Sequence, residues 1–314
     1  MSGQTTLCAK SLSELSLYLV VDLFLRSMKQ HVAPWSAVDV TVLYTATTSS
    51  FMAGYNLTMQ LHRDVSFLRE EAYEEKGTGT EVRKGFKDQF ETTLERQQSD
   101  MVALFVDDIV FINDLRVDAV ELDMFVNNPQ IFSMSLRLHP GVTFFYSGNS
   151  SSGVPPLHAI SPNAYVWEWS GSESRGDWTF PISLDGNIFR KHEIFRLARD
   201  IEYHNPNTFE FNLVPVVNNM ISEGDVAQPL MLCYQSPVLV NVPVNRVQQV
   251  HSNRFNSKGI QSFQDLNQRF LHEERLALLT FVDIKDLLNS VHINAGLKFE
   301  SLFPGKAYIP WYYL

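Results

Sequence analysis

The chain has 314 residues, 45% hydrophobic and 19% charged, and a formal net charge of −10. That composition is of an ordered globular chain with a sizeable core, and it excludes an intrinsically disordered one. The acidic balance excludes a general binder of nucleic acid or of anionic membranes, so any phosphate-bearing ligand would need local cations from Lys, Arg or a metal.

Two cysteines, Cys8 and Cys233, make neither a disulfide framework nor a zinc cluster, and a reducing, cytoplasmic setting is expected. Residues 12–30 place apolar side chains at helical spacing (Leu12, Leu15, Leu19, Leu23) and predict a buried amphipathic helix. The apolar run Leu15 to Leu25 is interrupted by Asp22 and falls short of the roughly 20 residues of a spanning helix. It also lacks the basic flank and small-residue cleavage site of a signal peptide, so neither a transmembrane segment nor a leader is expected.

Val38 to Tyr44 alternates and is β-branched, predicting a strand; Ala53 to Leu61 predicts a helix and Val65 to Leu68 a short strand. The charge-dense stretch Glu70 to Gly85 reads as an exposed loop, and Phe86 to Gln98 as a helix. Met101 to Val106 is an unbroken apolar run, which suits a strand buried on both faces of a parallel sheet. It ends at Asp107 and Asp108. Ligands of open α/β sheets sit beyond the carboxyl ends of strands, and two adjacent carboxylates repel unless a cation or hydrogen-bond donors neutralise them. Hard oxygen ligands there suit Mg²⁺ or Mn²⁺, commonly shared with phosphates. A surface turn with two solvated aspartates is the other reading.

Further on, Asp118 to Asn127 predicts a helix, Ile131 to Leu138 a strand, and Ser147 to Pro162 a long surface loop. Tyr165 to Trp169 reads as a strand and His192 to Tyr203 as a helix. Asn207 or Thr208 would cap a helix starting near Phe209, with Glu210 in its first turn. Met231 to Val242 is strand material, and Ser262 to Leu271 and Ile284 to Val291 are further helices. Helices alternating with strands, without an internal repeat or linker, predict one α/β domain over 1–314.

From about Asp22 onward the chain resembles a family of glycosyltransferases with the GT-A fold. The matching pieces are Asp22-Leu23-Phe24-Leu25-Arg26-Ser27, Asp39 to Tyr44, Asp107-Asp108-Ile109-Val110-Phe111, Phe132 to Leu138, Asp177 to Arg190, Asn205 to Glu210, Pro243 to Gln248 and Leu266 to Phe270. The resemblance implies a GT-A-like, Rossmann-related α/β fold with a mixed, mainly parallel sheet flanked by helices. Residues 1–115 would bind the nucleotide-sugar donor and 116–314 a glycan or other hydroxyl acceptor. It also implies Mn²⁺ or Mg²⁺ at Asp107 and Asp108, with His292 as a further ligand; a partly buried, backbone-bonded histidine is the alternative for His292.

Within Asp177 to Arg190, Trp178 and Phe180 present flat apolar faces to a pyranose while Asp185 and Asn187 offer hydrogen bonds to its hydroxyls. Core packing is the alternative for the tryptophans Trp167, Trp169 and Trp178. For an inverting transfer Glu210 is the candidate base and Asp185 its rival; Glu210 would otherwise only stabilise a helix N-terminus. In the family a first strand and a polar turn precede the equivalent of Asp22. Here Ala9 to Val21 runs straight into the helix, so the first strand is expected to be altered or missing and base and ribose recognition impaired. The alternative function is therefore a catalytically inactive relative that binds glycan or protein.

A nucleotidyltransferase would show a Gly-rich phosphate loop, and the sequence has none; Ser/His/Asp hydrolysis would need a nucleophile elbow, also missing.

Overall fold

The structure, a computed structural model, describes residues 5–10, 18–46, 48–70, 72–74, 81–83, 85–107, 109–145, 148, 150–222, 229–241 and 271. Its centre is a nine-stranded sheet. The strands in chain order are β1 (Thr5–Lys10), β2 (Val38–Tyr44), β3 (Ser66–Arg69), β4 (Met101–Val106), β5 (Ile131–Ser135), β6 (His158–Ser161), β7 (Ala164–Glu168), β8 (Asn187–Arg190) and β9 (Leu230–Tyr234). Across the sheet they lie in the order β6-β7-β9-β5-β8-β4-β1-β2-β3. Only β7 and β8 run opposite to the other seven, so the sheet is mixed and mainly co-directional.

The helices are α1 (Tyr18–His31), α2 (Ser49–Leu61), α3 (Phe86–Arg96), α4 (Val120–Asn127), α5 (Lys191–Arg199) and α6 (Pro206–Ser222). The connections β1–α1–β2 and β2–α2–β3 step outward between parallel strands. With right-handed crossovers they put α1 and α2 on one face, and the two helices pack together. The return from β3 to β4 through α3 crosses to the other face, where α3 packs on α5 and α5 on α6. No helix among the described residues is long and apolar enough to cross a membrane.

The core lies along β4, β5 and β8, which are buried almost throughout. Phe105 and Phe111 pack with Phe24 of α1, at ring-centroid distances of 5.5 and 6.2 Å from it. The matching stretch Asp22 to Ser27 is structural. Asp22 accepts from Arg26 Nε at 2.8 Å and shares a 3.0 Å bond with His62 Nε2 beyond α2, while Ser27 Oγ accepts the Phe111 backbone N–H at 3.1 Å.

Five expectations change. The first strand is not missing. It lies at Thr5–Lys10, starting four residues before Ala9, and pairs in parallel with both β2 and β4. Asn187–Arg190, the end of the stretch 177–190 expected to bind sugar, is a central strand, so β4 is parallel to β1 but antiparallel to β8. Within 70–85, Ala72–Glu74 pairs with Glu81–Arg83, and the long loop predicted at 147–162 contains Ser150–Ser151, paired with Phe144–Phe145, and β6. Asn205, not Asn207 or Thr208, caps α6 by accepting the Thr208 N–H at 2.8 Å, which leaves Glu210 a full turn inside the helix. The helices expected at 262–271 and 284–291 fall outside the described residues, apart from residue 271.

Candidate functional site

The carboxyl ends of β4 and β5 and the amino end of β8 meet at one edge of the sheet, because β8 is antiparallel to both neighbours. Gly186 turns the chain into β8 at φ +92°, a conformation that side-chain-bearing residues rarely adopt. Its N–H donates to Leu104 O and its carbonyl accepts from Leu136 N, each at 3.0 Å, which locks the turn to both flanking strands. The preceding residue, Asp185, is thereby held beside the last residues of β4.

Glu210 reaches this edge from α6. Its Oε1 accepts the Leu184 N–H at 2.6 Å, next to Asp185 in the chain. Asp185 Oδ1 accepts from Asn241 Nδ2 at 3.1 Å; Asn241 belongs to the short strand Leu239–Asn241, which pairs with Ile109–Phe111 just past β4. Arg137, two residues past β5, donates to Asp177 Oδ2 at 3.1 Å. Burial opposes the charge of Arg137, but Asp177, Asp185 and Glu210 together outweigh it and hold the guanidinium charged.

Three carboxyl groups thus share the field of one cation. Burial and the charge of Asp185 push Glu210 up to about 8, against the Leu184 N–H and Arg137. Burial and Asp177 also push Asp185 above the usual carboxylate range, with Arg137 and Asn241 opposing. Both groups are half-buried. Burial and mutual repulsion thus favour a proton on this carboxyl pair.

The remaining expected site residues are distributed differently. Asp107 lies where expected, immediately past β4, with 8% of its surface exposed. Asp108 and His292 lie outside the described residues. Trp178 is no sugar platform, for it is 0% exposed. Its ring meets Trp167 edge-on at 5.0 Å and its Nε1 donates to Val142 O at 3.1 Å, so no face is left for a ligand. Asn187 is buried as well, its Nδ2 donating to Ser133 Oγ and Pro181 O at 3.4 Å each, and it offers nothing to a hydroxyl. Phe180 is the aromatic side chain of this stretch that stays open, 42% exposed. Among the described residues no group of three His, Cys, Asp or Glu side chains gathers closely enough to hold a metal ion.

Over 291 residues, 87% of its length, the chain is 25% identical to the bifunctional glycosyltransferase pgtA of Dictyostelium discoideum. The chain is thus similar to a glycosyltransferase, and its own fold is α/β with a mixed, mainly co-directional sheet. It spans 34% of the length of pgtA. No protein-family model matches it. Among solved structures, a cytidylyltransferase from Leptospira borgpetersenii covers 98% of this chain and 99% of its own, at 12% identity and a TM-score of 0.43. The mannosyltransferase PcManGT from Pyrobaculum calidifontis, in complex with GDP-Man and Mn²⁺, covers 62% of this chain and 46% of its own, at 11% identity and a TM-score of 0.35. Superpositions this loose carry no functional argument.

The sequence marks Asp185 and Glu210 as candidates and gives no role to Arg137, His139, Asp177 or Asn241. A signal for two of them was present in Leu136-Arg137-Leu138-His139-Pro140, where charged and polar side chains interrupt an apolar run at a strand end. Such an interruption is costly unless the groups find partners, and here Arg137 finds them in the carboxylates.

Proposed function

We propose that this chain transfers a sugar from a nucleotide-sugar donor to a hydroxyl group of an acceptor, with Glu210 as the base. The observation that carries this is the Glu210 carboxyl, held by the Leu184 N–H beside Asp185 and Arg137 at the carboxyl edge of the sheet. In the transfer the acceptor oxygen gives its proton to Glu210 and bonds to the anomeric carbon, while the bond to the nucleoside diphosphate breaks and its electron pair leaves with the phosphate. Asp185 tunes that proton by its charge, and Arg137 keeps the excess of carboxylates from being prohibitive.

A hard divalent cation at the end of β4 is part of this proposal. Asp107 supplies a buried carboxylate, and Asp108 adjoins it in the chain. Mn²⁺ or Mg²⁺ held there would stabilise the negative charge that grows on the departing diphosphate. His292 remains a proposed further ligand. Residues 1–115 are proposed to carry the nucleotide and 116–314 the acceptor. The inactive-relative reading drew on an altered N-terminus lacking the family's first strand and polar turn; β1 is present inside the sheet, which removes the strand part of that support.

The test is calorimetric titration of UDP and GDP into the purified chain with and without Mn²⁺, with the Asp107→Ala, Asp108→Ala double variant as control. Metal-dependent binding that vanishes in the variant is the expected result. A folded protein that binds neither nucleotide overturns the proposal.

A further inference from the structure

His139 opens the turn after Arg137 and is 7% exposed. Its Nδ1 accepts the Gly141 backbone N–H at 3.2 Å. A backbone N–H can only donate, so Nδ1 carries the lone pair and the neutral ring carries its proton on Nε2. That Nε2 is buried and has no hydrogen-bond partner among the described residues. Burial, with the charge of Arg137 adding, pushes the imidazole down to about 4, so the ring stays neutral through the physiological range. A buried N–H donor is costly to leave unmet and calls for an oxygen acceptor.

The surroundings say what kind of oxygen. The His139 carbonyl accepts the Val142 N–H at 2.9 Å, and Val142 O accepts Trp178 Nε1 at 3.1 Å, which docks this turn against the residue next to Asp177. Asp177 pairs with Arg137 at 3.1 Å, and its carbonyl accepts the Phe180 N–H at 3.3 Å. Phe180, 42% exposed, lies 6.4 Å from Phe145 with the rings inclined by 31°. Carboxylates outnumber the single guanidinium, so a phosphate, which only accepts hydrogen bonds at high negative charge, is repelled. A hydroxyl both accepts and donates, so it can take the imidazole N–H and give its own proton to a carboxylate. An apolar ring face next to such groups completes the demands of a pyranose.

We propose that Arg137, His139, Asp177 and Phe180 form the subsite for the acceptor, an uncharged sugar ring, with His139 Nε2–H donating to one of its hydroxyl oxygens. Calling that sugar the acceptor rests on the transferase reading; binding of a neutral sugar stands apart from it. The subsite selects uncharged over phosphorylated or sialylated rings.

The test is a ligand-observed NMR titration of the full chain with methyl glycosides of glucose, galactose, mannose, fucose and N-acetylglucosamine, with inorganic phosphate as competitor. His139→Phe and Phe180→Ala are titrated alongside. The expected result is saturable binding of at least one glycoside, weakened about tenfold or more in each variant and not displaced by phosphate, as for loss of a hydrogen bond from a buried donor. Absence of glycoside binding by the folded wild type, unchanged affinity in the variants, or displacement by phosphate overturns the subsite. If His139→Phe fails to fold, the exposed Phe180→Ala decides the same way. The nucleotide titration on the same samples separates the two proposals. Nucleotide binding without glycoside binding overturns the subsite alone, and glycoside binding without nucleotide binding overturns the transferase alone.

Discussion

As the proposed base, Glu210 would serve catalysis at the expense of stability. Its carboxyl, pushed up to about 8 by burial and by Asp185, is largely protonated at neutral pH, whereas a base must be ionised. The transfer rate is therefore expected to rise with pH toward and through 8 and then to level. Glu210→Gln keeps an oxygen for the Leu184 N–H but cannot take a proton, and its kcat is expected to fall by about 10²–10⁴-fold in steady-state assays. The stability effect has the opposite sign. A carboxyl with a raised folded value holds a proton that the unfolded chain releases. Its stabilising contribution is complete below the ordinary value of 4.5 and is lost as pH rises to about 8. Thermal melting should accordingly find Glu210→Gln more stable than wild type at pH 8 and close to it at pH 4; equal melting at both values would remove the raised carboxyl from the account. The residue types here were legible as candidate carboxylates. Trp178 and Asn187 were not legible in the same way, since an aromatic ring or an amide has the same letter in a core as on a binding surface. Burial assigned them to the core, and nothing local in the chain encodes it.

At the scale of elements, the turn into β8 governs the site. A Cβ on Gly186 would lie 2.6 Å from Leu239 Cδ2, and the φ of +92° is itself strained for any other residue. Gly186→Ala is expected to cost about 1–3 kcal/mol in urea denaturation and to weaken transfer further by displacing Asp185. A substitution neutral in both measurements would mean that the turn does not position the carboxyl. β8 also shows which elements escape a sequence reading. Its four residues begin with Asn187 and end with Arg190, both buried polar groups. Arg190 donates to the carbonyls of Ile131 and Asn128 at 2.7 and 2.6 Å, some sixty residues earlier in the chain. Those partners make the strand tenable in a core, and they are invisible to a window that sees only neighbours. Met101 to Val106 lies beside it and was legible, because six apolar residues bounded by charge need no distant partner to be buried.

At the scale of the molecule, β8 binds the two proposed halves together. It comes from the second half of the chain yet lies between β4 of the first and β5 of the second. A fragment of residues 1–115 would lack it and leave the edge of β4 unpaired. Expressed alone, that fragment is expected to aggregate or remain unfolded, as judged by size-exclusion chromatography and circular dichroism; a monomeric, cooperatively melting fragment would show the donor half to be autonomous. The amino-acid sequence by itself determined the α/β class and the buried central strand ending at Asp107, because apolar runs, helical spacing and strand ends are local properties; the candidacy of Asp185 and Glu210 followed from the family resemblance. Only the tertiary structure decided the place of β1, the reversal of β8, and the gathering of Arg137 and Asp177 around the carboxyl pair. Each of these depends on strand pairings and hydrogen bonds between residues far apart in the chain, and their free energy appears only when the sheet closes.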